Sequence, residues 1–492
     1  MRSMDYDVII IGAGLGGLEC GYILSKEGLN VCVLEQNAQL GGCLQSFRRG
    51  NTVFDTGFHY VGGLREGEGL HTLFRYFNLL HLPWYEMDKA GFDEVIIGNQ
   101  SFCFANGFDH FADSLSSQFP NQRDNLRNYS SFLKQIADNQ LDILSPNPKN
   151  LSSSQQWLGS SAYLFLQNTI SDSLLQTVLS GTSIKMELDE ETLPLYIFGQ
   201  INCSFIQSAW RLKGGSYQIA DSLAQQITNA GGTVRKNAKV TEIQGDNKHI
   251  EKLILNGQEE LSAQFIISDI HPQSLLPIIS TNLLKKAYRS RIGELRNSLG
   301  MFTAHLKLKK DTVLYQNRNL FIHQQPDLWH PFDHLDQPSV MVHFAVPNDL
   351  SPFADNIDIL TSMSWDEVAK WQNSQRGERA GDYENWKVLK ANQLIKIAAD
   401  YIPKLDSSVE AIYTSSPLTY ADYIATPEGS AYGICKDYNN LIFTMLPAKT
   451  GINNLFYTGQ NMNFHGILGV SITSFLTCKE LLGHDWLYRA LK

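Results

Sequence analysis

The chain has 492 residues, enough for two or three domains with large cores. Apolar residues make up 43% and charged residues 18%, and the net charge is −10, which argues against electrostatic binding to nucleic acid or anionic lipid. Apolar docking on a bilayer needs no charge and stays open.

The opening MRSMDYDVIIIGAG has no apolar segment followed by a small-residue cleavage site, and no apolar run reaches ~18 residues. A cytoplasmic protein, at most peripheral to a membrane, is expected. Its seven cysteines are scattered, without CxxC or Cys/His ligand spacing, which fits a reducing compartment and argues against structural zinc. No metal site is expected.

Tyr6 to Ile11 (YDVIII) is a continuous apolar, β-branched run, as a buried parallel strand requires. GAGLGGLECGYILSKEG turns and runs as a helix capped by Gly28, and Asn30 to Leu34 (NVCVL) forms a second buried strand ending at Glu35. Residues 91–104 read as two short strands. Phe108, Phe111, Leu115 and Phe119 recur at helical spacing up to Pro120, and Leu126, Tyr129, Phe132 and Ile136 mark another helix. These stripes are most simply core. The stretch 105–210 is expected to be mostly helical, with a loop over 145–155 (SPNPKNLSSSQ).

A second α/β block begins at LKGGSYQIADSLAQQITNAGGTV, with Ile219, Leu223 and Ile227 on one helix face. TVRKNAKVTEI, HIEKLIL and AQFIISD follow as strands. Strand-like segments over about 300–363 suggest a second, more antiparallel sheet. NLFYTGQNMNFHGILGVSITSFLTCKELLG closes as strand, glycine-bearing loop and helix. The fold expected is α/β: a discontinuous Rossmann-like dinucleotide-binding domain (1–90, 211–298 and 440–492) with an inserted α+β substrate-binding domain (91–210 and 299–439).

Gly12-Ala13-Gly14-Leu15-Gly16-Gly17 is G-x-G-x-x-G at a strand-to-helix junction. Gly12 permits the tight turn, Gly14 lets backbone approach a pyrophosphate, and Gly17 allows close helix–strand packing. The helix N-terminus offers oriented N–H groups to the phosphates. Glu35, 23 residues after Gly12, is placed to accept from a ribose 2′-OH. QNAQLGGCLQSF then supplies a second glycine pair at Gly41 and Gly42. A nicotinamide dinucleotide has no need of this second loop, whereas a flavin gains backbone around its pyrophosphate and ribitol. FDTGFHYVGG (54–63) follows at once, where the chain can turn toward a flavin ring.

E-x5-GG after the βαβ unit, FDTGFHYVGG, and the C-terminal TGQN…GILGV loop resemble the FAD-containing phytoene desaturase superfamily. The nearest branch is the retinol saturase and carotenoid isomerase group, which carries a similar F-D-T-G-x-H-Y-x-G stretch. RLKGGSYQIADSLAQQITNAGGTVRKNAKVTEI and TPEGSAYGI (426–434) are similar to further blocks of that family. The likeness is weak over 140–200 and 310–420. It implies that Gly12, Gly14, Leu15, Gly16, Gly17, Glu35, Gln36, Gly41, Gly42, Cys43 and Leu44 surround the ADP part of FAD, Cys43 as a small filler. Val240 is implied at the adenine, and Gly459, Gln460, Gly469 and Val470 at ribitol and flavin. Asp55, Thr56, Gly57 and His59 are implied close to the ring, with Asp55 a turn-former.

The activity expected from the resemblance is that of an FAD-dependent oxidoreductase on C–C or C=C bonds of an apolar isoprenoid or polyene. Saturation, desaturation and isomerisation all stay open. In saturation, His59 or Tyr60 is the candidate proton donor. His59 and His465 each have an equal reading as packing residues, and Cys435 is read as packing rather than as a covalent flavin site. An amine oxidase or protoporphyrinogen oxidase on the same scaffold is the alternative, and a flavin-free prenyl-binding chaperone is opposed by the intact fingerprint. The chain has no second G-x-G-x-x-G, so the electron donor or acceptor is expected to be a separate partner. The oligomeric state is not legible.

Overall fold

β1 (Tyr6–Ile11) is buried along its last four residues and pairs in parallel on both sides, as its unbroken β-branched run requires. The computed structural model describes residues 4–491 apart from 147, 149, 331–335, 350 and 380. α1 (Leu15–Lys26) follows the glycine loop, and β2 (Val31–Leu34) returns beside β1 with Val33 opposite Ile10. α2 (Tyr217–Asn229), β3 (Thr233–Arg235), β4 (Ala263–Ser268), β5 (Leu455–Tyr457) and α3 (Gly466–Leu482) complete the layer from distant parts of the chain. The parallel sheet runs β3-β2-β1-β4-β5.

Glycines bring α1 against its neighbours. A Cβ on Gly17 would stand 2.1 Å from the Gly12 carbonyl oxygen, and one on Gly21 would stand 2.9 Å from side-chain carbons of both Val33 and Ile227. Glu19 of α1 is buried and accepts from the Ser471 and Ser474 hydroxyls of α3 at 2.6 and 2.9 Å. Desolvation pushes its carboxyl up to about 8 despite those bonds.

TVRKNAKVTEI is not one strand. Val234 pairs with Val33 in the parallel sheet, whereas Val240–Asp246 joins the antiparallel sheet of His249–Leu255 and Glu259–Leu261. Asn237, with φ +55°, turns the chain between them, and Ala238 donates its N–H to the Glu35 carbonyl at 2.8 Å. The break carries Val240 to the end of β2.

Among the described residues the second sheet has seven strands in the order Val409–Ser415, Gly300–Leu308, Asn356–Met363, Val340–Phe344, Asn319–His323, Asp93–Ile97, Gln100–Phe104. Its pairings are antiparallel except between Asn319–His323 and Asp93–Ile97. That one parallel pair joins residues from the two expected insertions. The stripes of Phe108–Gln118 and Arg123–Asp138 are core: Phe111, Leu115, Leu126, Tyr129 and Ile136 are buried together. The expected loop at 145–155 is helical from Leu151, where Leu151–Leu158 sets Trp157 edge-on to Phe132 at 5.5 Å. Residues 147 and 149 of that stretch, and 331–335 of the expected second-sheet region, lie outside the described residues.

Candidate active site

A cavity of about 590 Å³ is lined on one side by the glycine loops and on the other by the mixed sheet and the helical insertion. Gly12 turns the first loop at φ +100°, and Gly41 turns the second at φ +110°. Gly41 donates its N–H to the Ala13 carbonyl at 2.8 Å, and a Cβ on Gly42 would stand 3.3 Å from the Gly14 Cα. Glu35, buried at the end of β2, accepts from the Ala13 N–H at 3.1 Å and the Asn37 N–H at 2.8 Å. Desolvation raises its pKa against those bonds.

This cradle fits a dinucleotide. Two loops whose glycines hold backbone close to backbone leave room for a pyrophosphate, and a buried carboxylate sits where a ribose hydroxyl can donate to it. Gly12, Gly14, Leu15, Gly16, Glu35, Gln36, Gly41, Gly42, Cys43, Leu44, Gly57 and Val240 line the cavity, as do Gly459, Gln460, Gly469 and Val470. Gly17 lies behind, in the packing position expected of it.

Asp55 and Thr56 are not part of the lining. The Asp55 carboxylate accepts from the Ser46 hydroxyl at 2.5 Å and from the Ser216 N–H and hydroxyl, both at 2.8 Å. Thr56 donates its hydroxyl to the Gln45 carbonyl at 2.8 Å. Both tie the loop to the neighbouring 45–46 segment, and Asp55 also ties it to Ser216 of the second α/β block. Desolvation pushes Asp55 up to about 6.

Asp269, at the end of β4, was not foreseen. Its carboxylate accepts from the Gly17 and Gly14 N–H groups. A Cβ on Gly14, Gly16 or Gly459 would come within 2.5, 2.7 or 2.4 Å of it, so the glycines of both ends of the chain close around this one acid. Desolvation, with the charge of Glu35 adding to it, pushes Asp269 up to about 7. A carboxylate beside a phosphate cradle repels the phosphates when ionised and can donate to them when protonated.

The opposing wall is apolar, with Ile197, Ile201, Phe205, Met301, Met341 and Leu360 among its lining. Tyr60 and Lys185 are polar groups in it. Tyr60 donates its hydroxyl to Asp93 Oδ2 at 2.8 Å, and Lys185 Nζ lies 3.2 Å from the same oxygen. Asp93 is fully buried, and its Oδ1 accepts from the Asn319 amide at 2.9 Å. Arg211, also buried, donates to Asn319 Oδ1 at 2.9 Å and to the Gln316 and Arg318 carbonyls.

His59 borders both this cavity and a smaller one behind it. Its ring nitrogens have no hydrogen-bond partner; Asp358 Oδ2, at 3.9 Å, is too far. Asp358 instead accepts from His305 Nδ1 at 2.7 Å. Desolvation pushes His59 down to about 4, so at neutral pH it is an uncharged imidazole, a far weaker acid than an imidazolium. His59, His343 and Asp358 bring ligand-type atoms within 4.8 Å of one another, a grouping that sequence spacing concealed. The positive charge of Arg211 acts on both histidines and opposes a further cation there. His465 precedes α3, and its Nε2 lies 3.2 Å from the Lys185 carbonyl. Cys435 is half-buried, with its thiol 3.8 Å from Glu187.

A family model for NAD(P)-binding Rossmann-like domains matches residues 10–77. The human all-trans-retinol 13,14-reductase is 24% identical, over 99% of this chain and 87% of that protein. The chloroplastic prolycopene isomerase of Daucus carota is 22% identical, over 98% of this chain and 81% of that protein. The solved structure of cyclohexylamine oxidase from Brevibacterium oxydans shares the fold, with a TM-score of 0.62 at 16% identity over 99% of each chain. The resemblance carried by FDTGFHYVGG and TGQN…GILGV thus extends along the chain: on a Rossmann-like α/β scaffold, it is similar to the retinol saturase and carotenoid isomerase branch of the phytoene desaturase superfamily.

Proposed function

We propose that the chain is an FAD-dependent oxidoreductase acting on carbon–carbon double bonds of a retinoid- or carotenoid-like polyene, with saturation as the primary reaction. One observation carries this reading: a single cavity joins a dinucleotide cradle to an apolar wall bearing few ionisable groups. An extended hydrocarbon needs such a wall, because its binding rests on burial of apolar surface rather than on polar contacts. The relatives named for retinol reduction and prolycopene isomerisation support the substrate class.

The flavin, when bound, supplies hydride exchange. The chain's own residues hold and shield. Glu35 would accept from the ribose, Gly14 and Gly42 would hold the pyrophosphate close to backbone, and the first residues of α3 line the same cavity. Phe205, Met301 and Leu360 exclude water from the reacting bond. Tyr60 lines the cavity, its hydroxyl turned to Asp93. Burial and the Asp93 charge raise its pKa well above the ordinary range, so it serves as a fixed donor to Asp93 rather than as an acid.

A second reading has one observation in its favour. Tyr420 and Tyr432 both line the cavity, as an amine-oxidising aromatic cage would require. The Lys185 ammonium in the same wall repels a cationic amine. The deciding experiment is anaerobic incubation of the purified protein, pre-reduced when mixed with all-trans-retinol or a carotenoid and oxidised when mixed with a primary amine. Polyene products without amine-dependent bleaching are expected. Amine-dependent bleaching with peroxide release on readmitting air would overturn the reading.

A further inference from the structure

Lys185 is an unusual residue for an apolar wall. Its side chain is 8% exposed, and its Nζ lies 4.3 Å from the Phe205 ring centroid and 5.6 Å from that of Tyr60. Burying an ammonium is costly unless it is paired, and the structure supplies one partner, Asp93 at 3.2 Å. Asp93 is in turn held by Tyr60 and Asn319, and Asn319 by Arg211. The network therefore runs from the interior of the fold to a single ammonium at the cavity surface. The backbone beneath it is pinned as well: Tyr432 donates its hydroxyl to the Ile184 carbonyl, and His465 bonds to the Lys185 carbonyl. These contacts place Lys185 beside the start of α3, where the cradle ends.

We propose that Lys185 is the catalytic acid that protonates the polyene carbon during saturation. This inference rests on the polyene reading above. In the step, hydride from a reduced flavin forms a C–H bond at one alkene carbon as the π bond breaks. The pair of electrons left on the other carbon takes a proton from the Lys185 ammonium; its N–H bond breaks and a second C–H bond forms. The neutral amine regains its proton from water after product leaves. Asp93 and Asn319 are positioning residues that hold the ammonium in place.

The groups facing Lys185 support this role over those considered from sequence. Asp93 raises its proton affinity and desolvation lowers it, with desolvation the larger effect, so the ammonium is a better acid than an exposed lysine. Tyr60 is shifted the opposite way, and His465, pushed down to about 4 by desolvation, is neutral at pH 7. Arg211 donates to Asn319, and its charge also acts on Asp93 and Tyr60.

The test uses the cofactor-loaded protein, pre-reduced and mixed with all-trans-retinol. Lys185→Met should lower single-turnover saturation by about 10²–10⁴-fold while flavin content stays at the wild-type level. Lys185→Arg keeps the charge but holds its proton too tightly, and should rescue less than a tenth of the wild-type rate. The wild-type rate should fall as pH rises through the Lys185 pKa, and Asp93→Asn should shift that limb to lower pH. A readout apart from rate is covalent trapping: all-trans-retinaldehyde with cyanoborohydride should label Lys185 and not Lys436. If Lys185→Met yields no soluble loaded protein, Lys185→Arg and the trapping decide alone. Equal wild-type and Lys185→Arg rates with labelling elsewhere would overturn the proposal. Failure of wild-type protein to bind flavin or turn over any polyene would instead overturn the reading beneath it.

Discussion

The two walls of the cavity are built by opposite strategies. The cofactor wall draws most of its residues from 12–45, and its demands are demands on backbone: glycine where φ is positive, glycine where two backbones nearly touch, one acid at a strand end. The opposing wall draws Tyr60, Lys185, Met301, Met341, Leu360 and His465 from six places in the chain. Its demands are on burial and pairing, which ordinary residue types can meet. A backbone requirement narrows the choice to glycine and so marks the sequence; a buried lysine is spelled like an exposed one.

The sharpest break of the first wall is Gly17→Val. Its Cβ would stand 2.1 Å from the Gly12 carbonyl oxygen, a backbone atom that cannot move aside. Loss of flavin binding is expected, together with destabilisation of about 1–3 kcal/mol or more. Absorbance of the purified variant and its melting temperature check this, and full flavin content would show that the loop is not the cradle.

Glu35→Ala should act on the cofactor more than on the fold. A hydrogen bond to a charged acceptor is worth roughly 1.5–3 kcal/mol, about ten- to a hundredfold in retention. Flavin release on dilution measures it. Flavin retention equal to wild type would remove Glu35 from the ribose.

Asp269 gives a pH test. The carboxyl goes from an ordinary 3.8 to about 7 in the fold, so between those values the folded protein keeps a proton that the unfolded chain releases. Stability from this group is present at low pH and is lost as pH rises from about 4 to 7. Asp269→Asn should flatten that part of the melting-temperature profile and tighten flavin retention above pH 7. Identical pH slopes in the two proteins would show that the acid is not linked to folding.

The smallest effect is expected at His59. With both ring nitrogens unpaired and the imidazole neutral, His59→Phe should leave flavin bound and change single-turnover saturation by less than about tenfold, below the range for loss of a positioned acid. A drop of a hundredfold or more would return the proton to the histidine.

These contrasts explain what could be read in advance. The glycine loops, Glu35 and the closing TGQN…GILGV segment stand out locally, and residues of each line the cavity. FDTGFHYVGG was legible as a site but not in its parts: Asp55 and Thr56 brace the loop from behind, and Tyr60 faces Asp93. Asp93 and Lys185 lie 92 positions apart and in no motif. Only the parallel pairing of Asp93–Ile97 with Asn319–His323 brings Asp93 beside Asn319 and so completes the polar network. The break at Asn237 leaves no mark in the sequence because TVRKNAKVTEI has strand propensity on both sides of it.

The central claim is that one cavity joins a flavin to a polyene, and the most direct measurement is anaerobic mixing of pre-reduced protein with all-trans-retinol. Return of the oxidised flavin spectrum is expected in step with a product that has gained two hydrogens. A flavin that stays reduced with every polyene, yet is reoxidised by oxygen after bleaching by a primary amine, would contradict it.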